Sequence, residues 1–145
     1  MTCERQVDTE GKAAKGSSGI WTVGPRILVI ADDPELGDWL FEEFQNRGCA
    51  VALATRRHEA LDLVRSGLVD LVVAEMGFPE MPGMDLLRAL QSMTNMPKRP
   101  KVILTATRQS EYLKSRVVAN GASAVLCKPF RMEQLLALVA TVLGD

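Results

Sequence analysis

Several polar residues of the chain stand directly after apolar runs, where a fold could bring them together. Asp32 and Asp33 follow the first such run, Glu75 ends another, and Thr105 and Lys128 end two later ones. Carboxylates accept hydrogen bonds and attract cations, whereas a hydroxyl and an ammonium group donate hydrogen bonds to anionic oxygen atoms. The set is therefore suited to holding a charged group, provided that one place in the fold collects all of it.

Short apolar runs predict the strands that would deliver these residues. The runs are 26–31, 49–53, 68–74, 101–105 and 122–126, and the first, third and fourth are apolar enough for burial on both faces. Apolar residues at helical spacing follow each run, as in Leu36, Leu40 and Phe44. Gly48, Gly67 and Gly121 are typical of helix C-termini. Strand and helix alternating five times predict an α/β fold with a parallel sheet covered on both faces.

Such a sheet would gather the polar residues at one edge, because sites of open parallel sheets form at the carboxyl ends of the strands. Asp32, Asp33, Glu75, Thr105 and Lys128 would all lie there.

The composition limits the classes of protein that the chain can belong to. It has 145 residues, 47% of them apolar, and a net charge of −1. These values suit one globular domain and give no global attraction to nucleic acid or to an anionic membrane. We expect neither a membrane span nor a secretion signal, and hence a cytoplasmic location. Residues 1–24, rich in Gly, Ser and Lys, predict a flexible tail before a domain at 25–145.

Three kinds of site are disfavoured by the residues present. Nucleotide or flavin binding would need a Gly- or hydroxyl-rich turn after the first strand, and Ala31-Asp32-Asp33-Pro34 would repel phosphate. His58, the single histidine, opens the second predicted helix, where a solvated residue is expected instead of a catalytic base. The three cysteines have neither disulfide-framework nor zinc-site spacing, and Cys49 and Cys127 are predicted to be small buried side chains.

The chain from about residue 25 to its end resembles the receiver domain of bacterial response regulators. The resemblance rests on motifs that occur in order at the predicted strand ends. They are Ile27-Leu28-Val29-Ile30-Ala31-Asp32-Asp33-Pro34-Glu35, Asp70-Leu71-Val72-Val73-Ala74-Glu75, Pro79 with Gly83, Thr105-Ala106, Gly121-Ala122 and Lys128-Pro129-Phe130.

This resemblance implies a flavodoxin-like (βα)₅ fold with strand order 2-1-3-4-5. It also implies a phosphorelay role, in which a histidine kinase phosphorylates an aspartate at the end of strand three with the help of Mg²⁺. By position, Glu75 stands at the phosphoacceptor, and Thr105 and Lys128 stand where the phosphoryl oxygens are contacted. Asp32, Glu75 and Gly77 stand at the metal ligands.

Three departures from the family pattern predict an atypical, pseudo-receiver site. Glu75 is one methylene longer than aspartate, and transfer tolerates little misplacement. Ala31 replaces the first residue of the acidic pair, so that Asp32 is the direct metal ligand. We interpret Asp33 as the N-cap of the first helix, followed by Pro34. Mg²⁺ binding is expected to be weak, and no cofactor is required. Val125 replaces the aromatic residue of the usual switch.

Three functions follow from these departures. Glu75 could pair with Lys128 and mimic the charged state, the site could be inert in a protein-binding module, or the site could keep some phosphoryl acceptance. We favour a phosphorylation-independent regulatory module without enzymatic activity. The expected partner is a histidine kinase or effector at the face of the fourth helix, fifth strand and fifth helix, where Leu138 and Val142 form either an interface or a broad core stripe. A homodimer, a receiver fragment of a larger kinase or regulator, and a flavodoxin-like cofactor protein are the alternatives.

Overall fold

The computed structural model describes residues 24–94, 96, 98–107 and 111–144, with 111 and 112 described through their backbone alone. Within this part of the chain, five strands alternate with five helices. The strands are β1 (Arg26–Ile30), β2 (Ala50–Ala54), β3 (Leu71–Glu75), β4 (Lys101–Ala106) and β5 (Ala124–Cys127). The helices are α1 (Pro34–Asn46), α2 (Arg57–Arg65), α3 (Gly83–Ser92), α4 (Glu111–Ala119) and α5 (Met132–Val142). Residues 1–23 of the predicted tail lie outside the described residues.

All pairs in the sheet are parallel, and the strand order is β2-β1-β3-β4-β5. The predicted fold class and strand order are therefore confirmed. Successive side chains point to opposite faces of the sheet, and β1, β3 and β4 are buried on both faces. Leu28 and Ile30 face the core cluster under α2, α3 and α4, whereas Ile27 and Val29 face the cluster under α1 and α5.

The predicted helix ends are confirmed, but some strand limits differ from prediction. Gly48, Gly67 and Gly121 have φ of 92°, 76° and 110°, a region that glycine enters without a steric penalty. The third strand begins at Leu71 instead of residue 68, because the turn after α2 leaves Leu68 56% exposed and binds its N–H to the Ser66 hydroxyl. The shifts at β1, β2, β4 and β5 are of one or two residues.

Asp70 aligns the three central strands at the amino edge of the sheet. Its N–H donates to Arg26 O at 2.8 Å, and its carbonyl accepts the Lys101 N–H at 3.0 Å. Its carboxylate accepts the Arg26 N–H at 2.8 Å and the Lys98 ammonium at 2.5 Å. These bonds fix the starting points of β1, β3 and β4, and therefore also where those strands deliver their last residues.

Protonation of Asp70 is expected to weaken the fold. Burial opposes its charge, but the hydrogen bonds from Lys98 and Arg26 and their positive charges outweigh burial, so that the pKa of the Asp70 carboxyl is lowered. A lowered folded-state pKa stabilises the fold above the ordinary aspartate pKa of about 3.9, and this stabilisation is lost as the pH falls through the folded-state value. Asp70→Asn should therefore flatten the dependence of the unfolding free energy on pH below about pH 4.

Urea denaturation at a series of pH values measures this effect. Asp62→Asn, at an exposed position of α2, controls for the loss of one carboxylate. An unchanged pH slope in Asp70→Asn would show that the Lys98 and Arg26 contacts do not favour the charged form.

Candidate functional site

The carboxyl edge of the sheet collects the predicted polar residues because its strands are parallel and in register. Glu75 is opposite Thr105 in the β3–β4 pair, and Thr105 is opposite Leu126 in the β4–β5 pair. Lys128 follows the end of β5, and its N–H donates to Ala106 O at 2.7 Å. Asp32 follows β1 on the other side of β3. Glu75 therefore lies at the centre of the edge, between the residues delivered by β1 and β5.

The Glu75 carboxylate uses both of its oxygen atoms within the protein. Its Oε2 accepts a hydrogen bond from Lys128 Nζ at 2.6 Å. Its Oε1 accepts the Asp32 N–H at 2.7 Å and, more weakly, the Asp33 N–H at 3.5 Å. Only 13% of the Glu75 side chain and 26% of the Lys128 side chain are exposed, so water screens this pair incompletely. Hydrogen bonds to charged groups in such surroundings stabilise a fold by about 1.5–3 kcal/mol each.

The length of the glutamate side chain places its carboxylate within reach of Lys128. An aspartate on the same backbone would retract the carboxylate by about one C–C bond, roughly 1.5 Å. The predicted reach of Glu75 toward Lys128 is therefore observed, and the carboxylate uses the lysine contact that the family resemblance assigns to a phosphoryl oxygen.

Thr105 is brought to the edge, but its hydroxyl does not join the Glu75 contacts. Thr105 is 2% exposed, and its backbone carbonyl accepts the Met76 N–H at 2.7 Å. Its Oγ1 makes no hydrogen bond with the described residues. A buried hydroxyl without a partner costs about 1–3 kcal/mol. The interactions of Glu75 therefore extend toward Lys128 and the start of α1 and do not include the Thr105 hydroxyl.

Asp33 caps the first helix, as predicted. Its carboxylate accepts the Glu35 N–H at 3.0 Å, its backbone is extended, and Pro34 takes the first helical position. Asp32 is exposed just outside the helix, and its carboxylate forms no hydrogen bond or ion pair within the described part of the chain. Asp32 donates its backbone N–H to Glu75. Asp33, as the cap of α1, fixes the backbone next to Asp32 and so helps to orient that N–H.

The residues present do not fit a tightly held Mg²⁺. The candidate ligands are Asp32, Glu75 and Gly77, and both Glu75 oxygens already accept hydrogen bonds. Ala31, 2% exposed, supplies no oxygen from its side chain. The described residues contain no group of three or more acidic, histidine or cysteine side chains placed to hold a metal ion. Asp32 is the one carboxylate of this set left for a cation, whereas Mg²⁺ requires a near-octahedral oxygen shell.

Other predicted residues have less direct roles. Val125 is partly buried and packs against the cluster under α2, α3 and α4, and Leu138 and Val142 pack partly buried against the other cluster. The broad core stripe therefore describes α5 better than an apolar interface does. His58 is exposed, as predicted.

The prediction for the cysteines holds for one of them. Cys49 is 5% exposed, and burial, opposed by the charge of Arg47, raises the pKa of its thiol to about 12. Cys127 is only partly buried, because β5 is an edge strand with all its residues at intermediate exposure, and the prediction of a buried side chain is wrong there.

A contact between two aromatic residues near the site was not predicted from the sequence. Trp39 of α1 packs against Phe130, with ring centroids 5.8 Å apart and planes inclined by 34°. Phe130 lies two residues after Lys128, and its place in the Lys128-Pro129-Phe130 motif could have indicated that it lies near the site. Trp39 gave no such signal, because its spacing in α1 is compatible with either surface or core.

The comparison with known proteins agrees with this geometry. The response regulator receiver domain family matches residues 27–140, and the chain belongs to that family. It carries the receiver domain of a two-component response regulator. Response regulator MprA of Mycolicibacterium vanbaalenii is 36% identical over 118 residues, which cover 81% of this chain and 50% of MprA. The chain thus spans about half the length of that relative.

Two further likenesses concern proteins closer to this chain in size or fold. An uncharacterised 14.6 kDa protein of Leptolyngbya boryana is 31% identical over 113 residues, 78% of this chain and 86% of that protein. The receiver domain of the Francisella response regulator 1452 superposes with a TM-score of 0.74 at 26% identity, covering 83% of this chain and 97% of that domain. Among the described helices, none has the length and apolar character required to cross a membrane.

The capping role of Asp33 can be measured separately from its charge. Asp33→Ala should lower the unfolding free energy by about 1 kcal/mol, because the Glu35 N–H loses its partner, and Asp33→Asn should restore most of that loss. Urea unfolding at neutral pH gives both values, with Asp32→Asn as the neighbouring control. Equal losses in Asp33→Ala and Asp33→Asn would mean that charge, and not the cap, stabilises α1.

Proposed function

We propose that this receiver domain is a phosphorylation-independent module that binds a signalling protein. One observation carries the proposal: the Glu75 carboxylate is engaged by Lys128 at 2.6 Å and by the Asp32 N–H at 2.7 Å. In-line attack on a phosphoryl group requires one correctly placed carboxylate oxygen, and here each Glu75 oxygen is already held by a hydrogen-bond donor. The poor fit of the edge to Mg²⁺ supports the same view, since charge compensation at the transferring group is a main source of catalysis in such reactions.

The contacts also favour a fixed module over a full mimic of phosphorylation. The family resemblance implies that a phosphoryl group contacts both the lysine and the threonine. Glu75 reaches Lys128, whereas the Thr105 hydroxyl makes no hydrogen bond with the described residues. With Val125 in place of an aromatic residue, coupling through Thr105 has no aromatic switch to act on. The domain is therefore proposed to keep a single conformation, with the same surface exposed to its partner at all times.

The partner is proposed to be a histidine kinase or a downstream effector, as expected for a relative of response regulators. The face of α4, β5 and α5 is a candidate surface for this partner or for a second copy of the chain, and Val118 of α4 is an apolar side chain with 46% accessibility. In this proposal the protein acts in the cytoplasm, catalyses no turnover of its own and requires no cofactor.

The proposal is tested with purified full chain labelled with ¹⁵N. Adding beryllofluoride or acetyl phosphate with Mg²⁺ should leave the amide signals of Thr105 and Lys128 in place, because hydrogen bonds hold both Glu75 oxygens and the metal is poorly held. A receiver domain with aspartate at the acceptor position, run in parallel, shows that the reagents are active. Saturable shifts in the unaltered chain would contradict the proposal.

The variant Glu75→Asp serves as the matched comparison. It retains the charge and removes one methylene, so that the carboxylate withdraws from Lys128. We expect Glu75→Asp to give larger beryllofluoride-dependent shifts than the unaltered chain, although Ala31 still limits Mg²⁺ binding. If the two proteins respond equally, the Lys128 contact is not what blocks the acceptor.

A further inference from the structure

Glu75 belongs to a closed series of contacts that joins α1 to the turn between β5 and α5. Its Oε1 accepts the Asp32 N–H, and α1 begins two residues later at Pro34. Trp39, in the second turn of α1, packs on Phe130 with ring centroids 5.8 Å apart. The series closes through Lys128, two residues before Phe130, whose ammonium group donates to Glu75 Oε2.

The chain segments that connect these contacts are short and restrict the relative movement of the residues that they join. On one side, the Asp33 cap and Pro34 fix the geometry between the Asp32 N–H and the first turn of the helix. On the other, a single residue separates Lys128 from Phe130. Both sides rest on the same core cluster, through Leu40 and Phe44 of α1 and Leu135 of α5. A displacement of the Glu75 carboxylate is therefore expected to move Trp39 through Asp32 and α1, and Phe130 through Lys128.

We infer that the Glu75 carboxylate sets the position of α1 relative to the β5–α5 turn. A change in this position alters the packing of Trp39 on Phe130. Trp39 and Phe130 are thus positioning residues for the surface of α1. The Thr105 hydroxyl makes no hydrogen bond with the described residues, so this series of contacts does not pass through β4. The inference rests on the proposed function only in requiring that Glu75 remain engaged.

Fluorescence of Trp39 gives the first test. The chain contains two tryptophans, so the Trp21→Phe background isolates the Trp39 signal. In that background Glu75→Gln should shift the Trp39 emission maximum and change its quenching, because the charge that holds Lys128 is removed. Lys128→Gln should change the emission in the same sense.

Glu80→Gln is the matched control for the loss of a carboxylate at this edge. Glu80 also accepts a backbone N–H, from Arg57 at 2.9 Å, and pairs with an arginine, Arg56, at 3.6 Å. It lies outside the series of contacts around Glu75, so Glu80→Gln should leave the Trp39 emission unchanged. An emission that does not respond to Glu75→Gln, or that responds equally to Glu80→Gln, would overturn the inference.

A double-mutant cycle gives the second test and measures coupling directly. Residues in one network deviate from additivity, whereas independent sites combine to within about twofold in the unfolding constant. Glu75→Gln combined with Phe130→Leu should deviate by about threefold or more, and Glu80→Gln combined with Phe130→Leu should be additive. Additive behaviour in the first pair, or a larger deviation between Glu75→Gln and Val125→Ala, would contradict the inference.

The two tests also separate this inference from the proposed function. Beryllofluoride-dependent shifts in the unaltered chain would refute the proposed function, whatever the Trp39 emission shows. An intact resistance to beryllofluoride together with a silent Trp39 would refute only the coupling. If Phe130→Leu fails to fold, the fluorescence comparison of Glu75→Gln with Glu80→Gln still decides the inference.

Discussion

A lysine ammonium group that is mostly withdrawn from water needs a negative charge within hydrogen-bonding distance, and this requirement organises the carboxyl edge of the sheet. Lys128 follows β5, and about a quarter of its side chain is exposed. An ammonium group left unpaired there would carry a desolvation cost without compensation. Glu75, at the end of the central strand β3, supplies the compensating charge from within the chain. The remaining features of the edge follow from where this carboxylate lies.

The site of this chain, with glutamate at position 75, differs by one methylene from a receiver site with aspartate there. The longer glutamate brings its carboxylate against Lys128 and the Asp32 N–H, and in the proposed function these contacts take the place of an added phosphoryl group. Ala31 removes an oxygen that a cation would need, and Val125 removes the ring that would respond to a moving threonine. Under the proposed function these substitutions are consistent with one another, because Ala31 and Val125 each lack a part that a phosphorylation cycle would use.

Local signals in the sequence were sufficient for the fold and for part of the site. Alternating apolar runs define the parallel sheet, and parallel strands necessarily place Glu75, Thr105 and Lys128 on one edge. The Asp33 cap was predictable because it depends on adjacent residues, Pro34 and Glu35. The same holds for the glycines after α1, α2 and α4, whose positive φ is a property of the chain turn itself.

Distances between side chains from separate elements were not predictable in the same way. No local pattern indicated that the Thr105 hydroxyl would lack a partner among the described residues. The Trp39–Phe130 contact depends on how α1 packs on the sheet, a tertiary property that spacing alone does not encode. Cys127 and Leu68 are more exposed than their apolar surroundings indicated, because one lies on an edge strand and the other in a turn.

The most direct test of the central claim is a high-resolution crystal structure of the full chain grown with Mg²⁺ and beryllofluoride. The account predicts Glu75 Oε2 within hydrogen-bonding distance of Lys128 Nζ, Oε1 on the Asp32 N–H, and no beryllofluoride on the carboxylate. A Glu75 side chain turned away from Lys128, with Mg²⁺ bound between it and Asp32 and beryllofluoride on its oxygen, would contradict the account.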